Sequence, residues 1–240
     1  MCGHFIQGEG MAAFMAELQP RGAWPTDYDT GSASALSVMP AHRAHILHSA
    51  EDGLHIDAVR WGWAPFGAQG KQADALAMPV ETVPAPTLFK LLWPNSRALV
   101  PCDGWFERAA DAQLYFVRLK TRKTMFFAAL AHVHRGAAAQ QGAGFVIMTS
   151  AAEGKMAALH AQRPVVLTRE LANEWLDLDL SPRRAEQIVT HLRLNTTAFE
   201  WLRVMPAAPT TTACVSRSAH PGHRPARTLT SQDAGKNHWP

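Results

Sequence analysis

Short apolar or alternating runs, each bounded by Gly, Pro or polar residues, recur along the chain up to about residue 202. They predict strands over residues 58–63, 98–101, 114–119, 125–130, 145–149 and 165–167. Runs of helical period predict helices over residues 10–18, 87–93, 153–160, 169–178 and 182–192. Two of these carry clear start signals: Thr168 as an N-cap, and Ser181 as an N-cap with Pro182 at the first helical position. Single helices interrupt the strands without a regular βαβ alternation. That pattern predicts an α+β fold, one compact domain on a curved, largely antiparallel and barrel-like sheet with flanking helices.

After Pro206 the character changes. Residues 207–240 are rich in Ala, Pro, Thr and Arg and poor in large apolar side chains, and they are expected to form a mobile tail behind a domain spanning residues 1–206. The tail holds Arg217, Arg224, Arg227 and Lys236 against Asp233 alone, which accounts for the whole net charge of +3. The body is therefore formally neutral. Nucleic-acid contacts, if it makes them, must come from a local arrangement of charge rather than a general field.

The composition is 47% hydrophobic and 18% charged, which excludes a wholly disordered or coiled-coil chain. No run approaches the roughly 18 apolar residues of a spanning helix, and the start M-C-G-H-F-I-Q-G-E-G lacks the pattern of a signal peptide. The expectation is a cytoplasmic monomer with no membrane contact. Cys2, Cys102 and Cys214 are too far apart for a disulfide framework or a zinc spacing.

Cys2 is the most informative residue, because a small side chain after the initiator Met permits removal of Met1. Cys2 would then offer an α-amine with a pKa of about 7.7–8.0 and a thiol of about 8.5 on one residue. Such a 1,2-aminothiol condenses with an aldehyde to an imine, on which the thiolate closes to a thiazolidine. Alternatively the thiol attacks an amide carbonyl with the α-amine as its base. On position alone Cys2 is equally well a small apolar residue near a terminus.

Five segments stand in a consistent order: M-C-G-H-F at 1–5, W-G-W-A-P at 61–65, V-E-T at 80–82, V-P-C-D-G-W-F-E at 100–107 and L-H-A-Q-R-P-V-V-L at 159–167. Together they resemble the SRAP family, the SOS-response-associated peptidases that capture abasic sites in single-stranded DNA. The resemblance implies a compact α+β domain with a positively lined cleft holding an N-terminal cysteine. Cys2 would form a thiazolidine with the open-chain aldehyde of the abasic sugar, and Glu107 would shuttle protons beside it. His160, on a helix ending before Pro164, would assist sugar-ring opening. DNA contacts are implied at His4, Pro40, Trp61, Thr149, Gln162 and Arg163, with single-stranded DNA as partner and neither metal nor cofactor. Removal of its own Met1 and a weak strand-cleaving lyase activity would accompany capture.

The chain departs from the family pattern at several positions. His4 stands where the family has Arg, Ala77 to Pro79 replace N-A-R, Gly67 replaces a wedge Trp, and Gln162 replaces a basic residue, with Arg163 next to it. The bonding groups persist while much of the DNA grip does not. Losing one aromatic platform costs roughly 1–3 kcal/mol per base. Two other readings follow from this: a relative that has kept the fold without the chemistry or serves another aldehyde, and an N-terminal-nucleophile amidohydrolase, since class II glutamine amidotransferases also begin M-C-G.

Other residues receive structural readings. His42, His45 and His48 would alternate faces of a strand and have no companion ligand at metal spacing, while His132 and His134 would share one strand face as surface or cleft histidines. Trp105 is expected in the core, and Trp61 is open to either role. Glu81 is expected to bond nearby backbone groups, and Cys102 to be a buried, inert thiol.

Overall fold

Every residue of the strand Arg97–Cys102 is buried, as are the first seven of Met125–His132 and of Gly144–Ala151. Continuous burial of this kind requires a sheet covered on both faces, and the layers supply that. The computed structural model describes residues 3–8, 14, 15, 18, 36–63, 75–83, 85–91, 94–133 and 143–205. Within them run β1 (Phe5–Gln7), β2 (Leu36–Val38), β3 (Arg43–Ala50), β4 (Gly53–Arg60), β5 (Ala77–Pro79), β6 (Arg97–Cys102), β7 (Gly104–Arg108), β8 (Leu114–Leu119), β9 (Met125–His132), β10 (Gly144–Ala151), β11 (Gln162–Pro164), β12 (Val166–Leu167) and β13 (Phe199–Arg203). The helices are α1 (Ala85–Leu91), α2 (Arg169–Trp175) and α3 (Pro182–Gln187), with a 3-10 turn at Gly154–Ala158 and a π turn at Ile188–Leu192.

One sheet has the order β13-β8-β7-β1-β2. The other runs β11-β10-β9-β6-β3-β4, with β12 added on β9 and β5 on β10. All strand pairs are antiparallel except β5 with β10. The fold is α+β, as the pattern predicts, but neither sheet closes on itself, so the barrel-like expectation is corrected to two stacked open sheets.

Two apolar cores result. Between the sheets, Phe5, Trp105, Val117 and Phe199 from one meet Ile46, Val100, Phe127 and Phe145 from the other. On the far face of the larger sheet, Leu99, Leu130 and Met148 pack against Trp175, Ala185 and Ile188 of the helical layer. Arg97, 2% exposed, staples the layers by donating to the carbonyls of Trp175, the last residue of α2, and of Asp177 and Leu180 in the segment before α3. A helix end leaves a carbonyl such as that of Trp175 without an intrahelical donor. Thr168 and Ser181 cap α2 and α3 by accepting from Leu171 and Arg184 N–H.

The strand at 114–119 is found as expected, and those at 98–101, 125–130 and 145–149 are longer by two or three residues. The helix expected at 153–160 is the short 3-10 turn, and that at 182–192 changes from α to π pitch after Gln187. Of residues 10–18, Phe14 and Met15 are helical and only Leu18 is described besides. The expected tail, residues 207–240, lies outside the described residues.

Candidate active site

Strand β1 is held firmly because its last residue is a buried amide with every bond in use. Gln7, 3% exposed, donates to the carbonyls of His45 and Pro101 at 2.8 Å and accepts from His45 N–H at 3.0 Å, tying β1 to β3 and β6. Its ladder with β7 pairs Phe5 with Trp105 and Ile6 with Gly104, and Phe106 N–H donates to the His4 carbonyl at 2.9 Å. Gly104 is required by close approach: a Cβ there would strike the Phe116 ring and lie 2.7 Å from the Val117 carbonyl oxygen. Gly3, the next residue toward the chain start, is exposed. Cys2 lies outside the described residues.

Alternation along β7 turns Trp105 and Glu107 to the inner face and Phe106 to the outer one. Glu107 is 5% exposed. Its Oε2 accepts from the Trp105 indole N–H at 3.2 Å, and its Oε1 stands 3.9 Å from His160 Nδ1. The indole, itself buried, is held edge-on by Phe127 and Phe199.

His160 lies just after the 3-10 turn, in the bend leading into β11, and not on a helix as expected. The residues Gly154 and Lys155 open a single tight turn too short to continue. Its Nδ1 is 3.0 Å from both the backbone nitrogen and the carbonyl oxygen of Gln162. A backbone N–H only donates and a carbonyl oxygen only accepts, so Nδ1 takes the Gln162 N–H when unprotonated and donates to the Gln162 carbonyl when it carries a proton. Burial holds the imidazole below its ordinary value, and the Gln162 carbonyl opposes that shift. Glu107, His160, Gln162 and Arg163 line one small pocket whose walls are completed by Met156 and Leu159.

The other expected contact residues divide into accessible and enclosed sets. His4 is partly exposed, with Nε2 2.6 Å from Ser37 Oγ and its ring stacked on Phe106 at 4.3 Å; burial lowers its pKa. Pro40 is exposed in the turn after β2, and Gln162 is partly exposed. Trp61, however, is 1% exposed, donates to the Leu76 carbonyl at 2.9 Å and packs between Phe5 and Phe145. It has no face open to a base and is a core residue. Thr149 is fully buried.

Arg163 is 2% exposed; its guanidinium lies over the Phe199 ring and donates to the carbonyls of Leu194 at 2.7 Å and Pro164 at 3.3 Å. Burial, with Arg193 nearby, pulls it down to about 10. An enclosed arginine one position along a strand does not replace an exposed one, because each step turns the side chain over. Ala77 and Pro79 run parallel to β10 opposite Ile147 and Thr149, so that wall is apolar. Gly67 lies outside the described residues.

The remaining readings are resolved by local contacts. Glu81 Oε1 accepts from Ala151 N–H at 2.7 Å, and Cys102 is fully buried. His48 pairs with Asp57 at 2.7 Å, and His132 stacks on Trp63. The indole donor to Glu107 was missed; the W-x-E spacing sets both side chains on one face of a strand, but no apolar run announces that strand. Ser37, 33 positions from its partner His4, left no such signal.

A two-sheet α+β molecule with a buried carboxyl facing an imidazole, beside the strand that begins the chain, is the class of protein these features define. The chain belongs to the SOS response associated peptidase (SRAP) family, whose profile matches residues 1–209. It is 30% identical over 206 residues to the abasic site processing protein YedK of Escherichia coli, covering 84% of this chain and 90% of that one. A solved structure of a phage-related protein from Bordetella bronchiseptica matches with TM-score 0.70 at 28% identity, covering 85% of this chain and 95% of its own. A second protein of the same organism, at 14% identity and TM-score 0.64 over 85% of this chain and 100% of its own, shares the fold. No described helix is long and apolar enough to cross a membrane.

Proposed function

We propose that this protein processes abasic sites in DNA, capturing them in single strands through a covalent bond to Cys2. The observation that carries the reading is the β1–β7 ladder. Its last hydrogen bond joins His4 to Phe106, the residue before Glu107. Cys2 precedes His4 by two residues, and each peptide step spans about 3.8 Å between Cα atoms, which supports the reading that Cys2 works with Glu107 and His160.

The chemistry suits those groups. Once Met1 is removed, the α-amine of Cys2 adds to the aldehyde carbon of the ring-opened sugar, and loss of one water gives an imine. The thiol sulfur then bonds to the same carbon while its proton passes to the imine nitrogen, closing the thiazolidine. The balance is one aldehyde plus one aminothiol giving one ring and one water. Glu107 Oε1 takes and returns the protons, as a carboxyl beside the reacting atoms can. His160 donates toward the sugar oxygen as the ring opens. The imine also acidifies the adjacent carbon, so slow elimination of the 3′ phosphate is the expected side reaction. The kinship to YedK, whose name states abasic site processing, supports the substrate class. His4, Pro40 and Gln162 are the accessible contacts for the strand, while Arg163 lines the pocket from within and Trp61 and Thr149 are buried.

Incubation of the Met1-free protein with a single-stranded oligonucleotide bearing one abasic site should give a band that survives a denaturing gel. Cys2→Ala should abolish that band and an intact oligonucleotide should give none. Equal adduct with Cys2→Ala would overturn the reading.

A further inference from the structure

The two oxygens of Glu107 are not equivalent. Oε2 accepts from the Trp105 indole N–H at 3.2 Å inside the core, while Oε1 faces His160 across the pocket at 3.9 Å. An indole nitrogen donates and never accepts. A carboxylate oxygen accepts far more strongly than the hydroxyl oxygen of a carboxylic acid, so the indole disfavours a proton on Oε2. A water molecule in its place would donate or accept and leave the proton free to sit on either side.

We propose that Trp105 is a positioning residue that confines the exchangeable proton of Glu107 to Oε1, the oxygen facing His160 and the reacting carbon. This deepens the abasic-site reading and rests on it. The indole is well placed for such a task. It is 1% exposed, and Phe127 and Phe199 clamp it edge-on at 5.8 and 5.4 Å, both at 76°. Its direction is thus fixed by packing before any substrate arrives. By bonding only the carboxylate side of Glu107, it also favours the charged form, opposing the penalty of burying that charge.

Other charges face the same carboxyl and are unchanged by altering the indole. His160 and Arg163 line the pocket with it, and Tyr115 is its backbone register partner on β8. The amine and thiol of Cys2 join them in the reading above. Removing the indole N–H while keeping these groups isolates its effect.

The test is the pH dependence of adduct formation by Met1-free protein with single-stranded abasic DNA, for wild type, Trp105→Phe and Phe199→Leu. Wild type must form adduct, and its failure would refute the capture reading rather than this one. Trp105→Phe keeps an aromatic ring but loses the donor. Its acid limb should move up by about one pH unit, with a lower rate at neutrality. Phe199→Leu removes one clamp and keeps the donor, so its limb should move by less than that of Trp105→Phe. A limb that stays in place in Trp105→Phe, or moves equally in both variants, would overturn the proposal. A measurement on the intact protein covers the case in which Trp105→Phe does not fold. In 15N–1H spectra, the one indole resonance displaced by Glu107→Gln should titrate in wild type with the midpoint of the acid limb. No titrating indole resonance would contradict it.

Discussion

His160 Nδ1 stands 3.9 Å from Glu107 Oε1 and 3.0 Å from the backbone nitrogen of Gln162. The shorter contact is satisfied by a neutral ring and the longer one would tighten only on protonation. Imidazole and carboxyl are thus poised to exchange a proton without being locked together as an ion pair.

This arrangement fixes the sign of a pH effect on stability. Burial holds the folded-state pKa of His160 below the ordinary 6.5, so above that value the ring is neutral in folded and unfolded chains alike. As pH falls from 6.5 through the lowered value, the unfolded chain binds the proton first and the folded state loses stability. His4 is lowered by burial as well and acts in the same direction. Urea unfolding followed over this range should show the loss in wild type and less of it in His160→Gln. Identical profiles would contradict the assignment.

Glu107→Gln should slow adduct formation by about 10²- to 10⁴-fold, the span of a general acid–base group. Its amide oxygen still accepts from the indole, so the unfolding midpoint should hold within about 1 kcal/mol. Rate measured against a stability curve separates the two. A slow variant that is also unfolded would not support the role.

Gln162 and Arg163 should respond in opposite ways. Gln162→Arg adds an accessible cation, and the salt dependence of single-strand binding should steepen by about 0.7 in log–log slope. Arg163→Ala leaves the Leu194 and Pro164 carbonyls without their donor and should cost about 1–3 kcal/mol in urea unfolding while leaving that slope unchanged. A flattened slope in Arg163→Ala would place the guanidinium on the DNA.

Gly104→Ala should destabilise by about 1–3 kcal/mol, because the new methyl meets backbone at Val117 as well as the Phe116 ring. The displaced strand carries Trp105 and Glu107 with it, so adduct formation should fall alongside the melting temperature. Unchanged melting would show that β7 has room to spare.

Much of the scaffold was legible in the sequence because buried strands write themselves as apolar runs. Residues 114–119 match β8, and Thr168 and Ser181 cap the helices they announce. The strand that carries Glu107 was not legible, since D-G-W-F-E has a glycine and a charge where a run should be, and the reason lies in Phe116 crossing over Gly104 from the neighbouring strand. β3 was missed because its histidines and Ser49 dilute the apolar signal, although Leu47 and Ile46 face the two cores. The pairing of Glu107 with His160 was expected from kinship of motifs. Trp61 and Arg163 show the limit of residue type as a guide, since a tryptophan and an arginine in DNA-binding company both turn inward here.

The central claim is a ring formed between the first two heteroatoms of Cys2 and one sugar carbon. It is tested most directly by digesting the adduct and sequencing its N-terminal peptide by tandem mass spectrometry. The account predicts a peptide beginning at Cys2 that carries the sugar remnant on that residue, lighter by one water than the sum of the two parts. A remnant on any other residue, or no adduct from protein whose Cys2 amine is free, would contradict it.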